Sequence, residues 1–158
     1  MIASLLIISM LSKVGYIDGH YIKQIETNKY DEQSYFDVQM VDEKNIKFQA
    51  FSYWTGVNPD NVHTGVINGI IPIKDGKAVY EELWETPVDY VPNHPAVVYD
   101  PRKADEFQGC HVDVTFKSDS TVHVEDNYKC GGLNVTFMGD YKRKSFGIPE
   151  WFDFDNQK

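Results

Sequence analysis

Cysteine is scarce: Cys110 and Cys130 are the only two in 158 residues. An even pair fits an oxidising compartment such as a periplasm or a cell surface, with two reduced, buried thiols as the alternative. Basic residues are also few, 15 Lys and Arg against 24 Asp and Glu, for a net charge of −9. They cluster only at Lys142, Arg143 and Lys144. That excludes the basic footprint a nucleic-acid binder needs and favours a basic partner. Long apolar runs are missing except in "MIASLLIISMLSK", where about ten apolar residues are too few to span a bilayer but have the length of a signal-peptide h-region. Residues 1–15 are therefore expected to be an export segment, a buried first strand or helix being the plainer reading. Residues 16–158 are expected to form one domain.

Motifs for chemistry are absent too. There is no G-x-S-x-G and no H-E-x-x-H, and neither cysteine has a neighbour that marks an activated thiol. Gly131, Gly132 and Gly139 lack the Lys and Ser/Thr of a phosphate loop and the spacing of a dinucleotide fingerprint. Carboxylate pairs such as Glu81, Glu82 and Glu85 arise by chance on so acidic a chain. No enzyme and no cofactor is expected.

What the chain does have is alternation at period two. It recurs in "YFDVQMVD", "NIKFQAFSYW", "VHTGVINGIIPI", "KAVYEELWE", "CHVDVTFK", "STVHVED" and "LNVTFMGDYK". Turn residues separate the runs at Asp42–Lys44, Asn58–Asn61, Asp75–Gly76, Asn93–Pro95 and Ser118–Ser120. No window sustains a helical stripe over three turns, so at most one short helix is expected, within Asp100–Phe107. The fold class is all-β: an antiparallel meander of about eight strands forming a small barrel or barrel-like sandwich, closure being favoured because it removes exposed edges.

One hairpin can be set in register. A two-residue turn between Cys110–Lys117 and Thr121–Asn127 mixes apolar and polar side chains on both faces. A three-residue turn sets Phe116 opposite Val122, Val114 opposite Val124, Thr115 opposite His123 and Asp113 opposite Glu125, giving one apolar and one polar face. Cys110 then faces the core, and Cys130 lies just past its nearest cross-strand position, Tyr128. A disulfide is within reach but diagonal, needing a bulge that Gly131–Gly132 would permit, with Gly139 easing a bend near Tyr141. On the polar face His111, Asp113, His123 and Glu125 gather as a conceivable metal set; a solvated outer face is the plainer reading, and no metal is expected.

Recognition is left. Residues 85–108 form the longest irregular stretch, hold four of the seven prolines, and mix acidic with aromatic side chains. Trp84, Glu85, Asp89, Tyr90, Tyr99 and Asp100 have the composition of a protein-binding patch, and Trp54 and Asp60 would present a second tip. The tail "FGIPEWFDFDNQK" reads as a last strand, a docked arm or a frayed end.

The stretch "GCHVDVTFKSDSTVHVEDNYKCGGLNVTFMGDYKR", with the strands before it, resembles a bacterial envelope β-domain that accompanies LprI-type lysozyme-inhibitor modules. Its pattern is a Cys-led strand, an alternating hairpin, Cys-Gly, an apolar strand and Gly-x-Tyr-Lys. The resemblance implies a periplasmic or secreted β-domain with Cys110 and Cys130 as its structural pair, and no active-site residue. The expected function is a non-enzymatic inhibitor or immunity protein that blocks a basic cell-wall hydrolase or secreted toxin. Alternatives are a lipocalin-like carrier of a small apolar ligand, which needs unfilled space inside, and a structural accessory domain of an envelope complex, which needs an exposed edge or a large apolar patch.

Overall fold

The computed structural model describes residues 17–23, 34–55, 62–83, 109–118, 120–131 and 135–151. Among them are eight strands: β1 Gly19–Lys23, β2 Tyr35–Met40, β3 Asn45–Thr55, β4 Val62–Lys74, β5 Lys77–Leu83, β6 Gly109–Ser118, β7 Thr121–Asp126 and β8 Gly139–Phe146. Each pairs antiparallel with its chain neighbour, and β8 pairs back to β1, closing an up-and-down barrel. The expected all-β meander and its closure are therefore observed, and there is no helix among the described residues.

Period-two alternation builds the interior. Phe36 and Val38 on β2, Ile46 and Phe48 on β3, Val112 and Val114 on β6, and Val122 and Val124 on β7 all point inward and are buried. Rings fill the centre. Phe36 stacks on Phe48 with centroids 5.6 Å apart and tilts against Tyr141 at 6.2 Å, while Tyr80 meets Phe48 edge-on at 5.3 Å. Full burial of side chains this size stabilises by roughly 1.5–3 kcal/mol each. An eight-stranded barrel has an interior just wide enough for side chains to fill.

The expected β6–β7 register is the observed one, with Phe116 opposite Val122, Val114 opposite Val124 and Asp113 opposite Glu125. The connection differs from a plain three-residue turn: the ladder goes on through Ser118 opposite Thr121, and the register shifts between Phe116 and Ser118. Two further points differ from the sequence reading. β1 was not anticipated; its sequence, "GHYIK", is too short to display alternation. "LNVTFMGDYK" is not a single strand, because residues 135–138 lie outside the ladders and β8 begins at Gly139. Near Cys130 the left-handed backbone falls on Tyr128, at φ 60°, and Gly132 of the pair expected to permit a bulge lies outside the described residues. The helix expected within Asp100–Phe107 lies outside the described residues.

Consecutive antiparallel strands give the barrel two rims. The β1–β2, β3–β4, β5–β6 and β7–β8 connections leave from one, and β2–β3, β4–β5 and β6–β7 from the other. The second is a rim of tight turns. Asp75 and Gly76 take φ 52° and 74°, the doubly left-handed pair of a two-residue hairpin. At β2–β3 the Asp42 carboxylate accepts the Lys44 N–H at 2.7 Å and the Asn45 side-chain amide at 2.9 Å.

Residues 147–151, after β8, form an arm docked on the outer wall. The Gln49 side-chain amide donates to the Glu150 carbonyl at 3.0 Å and to Asp37 at 2.9 Å, and Lys47 lies 4.3 Å above the Trp151 ring. Asp37, only 3% exposed, also meets His20 Nδ1 at 2.5 Å. A buried carboxylate needs such partners. Here they form a row across β1, β2 and β3.

Candidate functional site

The other rim is closed by a plug, residues 127–131 and 135–138 of the β7–β8 connection, folded across the barrel mouth. Asp126, at the end of β7, organises it. One carboxylate oxygen accepts the Tyr128 N–H at 2.7 Å; the other accepts the Phe137 N–H at 2.5 Å and the Thr136 hydroxyl at 2.8 Å. Asn127 ties the same turn to β6, donating to the Gly109 carbonyl at 2.9 Å and accepting the His111 N–H at 3.2 Å. Cys110 and Cys130 are joined by a disulfide, their Cα atoms 4.4 Å apart. The expected pair is the observed one.

The plug then reaches the far side of the mouth. Ser52 on β3 donates to the Thr136 carbonyl at 2.7 Å, and Val135 and Phe137 are buried. A Cβ on Gly65 would stand 2.8 Å from the Gly131 Cα and 2.9 Å from Val135 Cγ1, closer than side chains come. Gly65 and Gly131 therefore let plug and wall touch backbone to backbone. Tyr141, beneath the plug, donates its hydroxyl to the Phe137 carbonyl at 2.7 Å, and burial pushes its ionisation well above the ordinary range.

Around this mouth the barrel exposes large apolar side chains. Tyr128 and Leu83 are each 69% exposed, and Trp54 is 37% exposed with its ring tilted against His63 at 5.6 Å. Thr55 and Val62 bracket residues 56–61, and Leu83 and Gly109 bracket residues 84–108. Both segments thus start and end at the strand ends of this rim. Trp54 is the one sequence-predicted recognition residue within the described set. Asp60, Trp84, Glu85, Asp89, Tyr90, Tyr99 and Asp100 lie outside the described residues.

The outer wall of β5 to β8 carries the four residues weighed as metal ligands, and they do not converge. His111 sits between Glu81 at 2.9 Å and Asp113 at 3.1 Å. His123 sits between Asp140 at 2.6 Å and Glu125 at 3.3 Å. Among the described residues no group of three or more His, Cys, Asp or Glu is arranged to hold a metal ion. Desolvation lowers the His111 pKa, but the bonds to Glu81 and Asp113 outweigh it and leave the imidazole above its ordinary 6.5. Asp140 is held below the usual carboxylate range by Lys117 and then by His123. Both sets are solvated ion pairs on a wall, worth little each.

Sequence reasoning missed one surface, the join between β4 and β5. Only Ile73–Ala78 and Lys74–Lys77 pair there, against an eleven-rung ladder between β3 and β4. The available signal was Pro72, since proline inside a strand pattern marks an edge.

Fold and rim together define a disulfide-pinned, eight-stranded up-and-down β-barrel with one plugged mouth. No protein-family model, curated protein or solved structure matches the chain. No helix among the described residues is long and apolar enough to cross a membrane.

Proposed function

We propose that this barrel is an exported, non-enzymatic binding protein that blocks a basic protein, either a cell-wall hydrolase or a secreted toxin. The observation that carries the reading is the plugged rim. Trp54, Leu83 and Tyr128 stand exposed on a disulfide-pinned base, in a chain of net charge −9. Exposed aromatic and aliphatic anchors on a rigid support, within an acidic field, suit capture of a cationic surface. The acidic and aromatic segment 84–108 starts from the same rim, and Trp84, Glu85, Asp89, Tyr90, Tyr99 and Asp100 are proposed to extend the anchor set. The disulfide is what an oxidising envelope compartment would sustain.

The carrier alternative has less support, because Phe36, Phe48 and Tyr141 fill the barrel centre where an apolar ligand would lie. The immobilised protein, exposed to envelope or host-secretion extracts at low salt, is expected to retain a basic hydrolase or toxin and to inhibit it. Trp84→Ala with Glu85→Ala, and separately Trp54→Ala, should weaken capture at least tenfold. Retention of no basic protein, or capture indifferent to all three substitutions, would sink the proposal.

A further inference from the structure

The split between β4 and β5 has a defined chemistry. Ile73 donates its N–H to the Lys44 carbonyl at 2.7 Å, so odd-numbered residues of β4 bond towards β3. Backbone groups alternate along an antiparallel strand, so Thr64, Val66, Asn68 and Ile70 turn theirs towards β5. By the same alternation, with Gly76 bonded to Phe116 on β6, the residues Val79, Glu81 and Leu83 turn theirs towards β4. Among the described residues the register gives neither row a ladder partner. Pro72 accounts for where the ladder stops: it has no N–H to give Val79, which the continued register would set opposite.

Inside, the gap is spanned by a ring. Tyr80 lies 3.5 Å from where a Gly69 Cβ would stand, and its hydroxyl donates to Glu82 at 2.8 Å. Outside, the lips are apolar and uncovered: Ile70 is 62% exposed, Val79 43% and Leu83 69%. Exposed apolar side chains along two strand edges are what natural barrels avoid unless the edge is used.

We infer that this split receives an extended segment of the protein partner as an added strand, a refinement that rests on the binding function proposed above. Continuing the register sets Ile70 level with Glu81 and Asn68 level with Leu83. An incoming strand would therefore place an apolar side chain by Val79, a Lys or Arg with its stem on Ile70 and its charge on Glu81, and an apolar side chain by Leu83. The intervening positions face Gly69 and Tyr80 and have room only for small residues. The charge argument selects a basic occupant, because the side chains of Glu81 and Asp113 on this wall are 54% and 52% exposed.

The probe is a capped peptide, acetyl-Thr-Val-Ser-Lys-Ala-Val-Thr-amide, added to the intact, isotope-labelled chain. Amide exchange at Asn68, Ile70, Glu81 and Leu83 should slow at least tenfold on binding. Replacing the peptide Lys by Glu, or Ile70 by Lys in the protein, should weaken binding at least tenfold. The inference is overturned if those four amides already exchange as slowly as Ile67 and Ile71 in the free protein. Protection that rises with protein concentration alone also overturns it, since the occupant would be a second copy, as does peptide binding that Ile70→Lys leaves unchanged. If Ile70→Lys captures the basic partner as well as the native chain does, this inference fails and the binding function stands; if neither captures one, the binding function itself fails.

Discussion

The two rims of the barrel solve the same problem by different means. At the turn rim three short connections reverse the chain with local chemistry: the left-handed pair at Asp75 and Gly76, the Asp42 side chain capping its own turn, and the bulged Ser118–Thr121 closure. At the plugged rim one connection crosses the mouth and is held by non-local contacts, Cys110 to Cys130, Ser52 to Thr136 and Gly65 against Gly131. Local closure exposes apolar side chains too, Val41 at 50% and Phe146 at 75%, but at a rim with no covalent pin. Closure by a pinned plug leaves a rigid base from which the exposed anchors project.

Removing the covalent pin should separate the rims most strongly. The cysteines are 20 residues apart. Cys110→Ala with Cys130→Ala is expected to cost about 3 kcal/mol and lower Tm on the order of 10 °C. Amide exchange should accelerate at Val135 and Phe137 before it does at Lys74 and Lys77; equal acceleration at both rims would abolish the contrast. A smaller loss should follow Gly76→Ala, since an added Cβ has space but φ is 74°. The expected cost is about 1 kcal/mol, with faster exchange confined to the β4–β5 turn.

The smallest effect is in pH dependence, where the rims should respond with opposite signs. His111, whose imidazole bonds Glu81 and Asp113 on the wall near the plugged rim, has a raised folded-state pKa, so its contribution is complete below 6.5 and is lost as pH rises through the folded value. Asp42 is held below its ordinary 3.8 by the Asn45 amide and then the Lys44 N–H, so its contribution is present above that value and is lost as pH falls through the depressed one. The Tm difference between native and His111→Gln should shrink from pH 5.5 to 8, and that for Asp42→Asn should shrink on acidification below pH 4. Differences that stay flat across both ranges would remove the contrast.

Much of the wall was legible from sequence, and the reason is visible at β6–β7. Val112, Val114, Val122 and Val124 alternate with His111, Asp113, His123 and Glu125, so only one register sorts both faces. The plug was misread by the same signal: Val135 and Phe137 alternate as in a strand, yet what buries them is the barrel mouth and not a neighbouring ladder. β1 escaped notice because "GHYIK" offers Tyr21 as its one fully buried apolar side chain, and its pairing with β8 is non-local. The candidate recognition surface was legible only as composition. Trp54 emerges at the rim, whereas the unpaired backbone of the split follows from a ladder that stops short of Pro72.

The pairing of β1 with β8 also bears on how the chain reaches this state. Arg143 bonds the Tyr21 hydroxyl across 122 residues of sequence, so the barrel cannot close until its final strand is available. High contact order of this kind places folding in roughly the millisecond-to-second range. During that interval the outer edges of β1 and β8 stay open to wrong pairing, and a nascent chain would need those edges shielded until the last turn of the meander arrives.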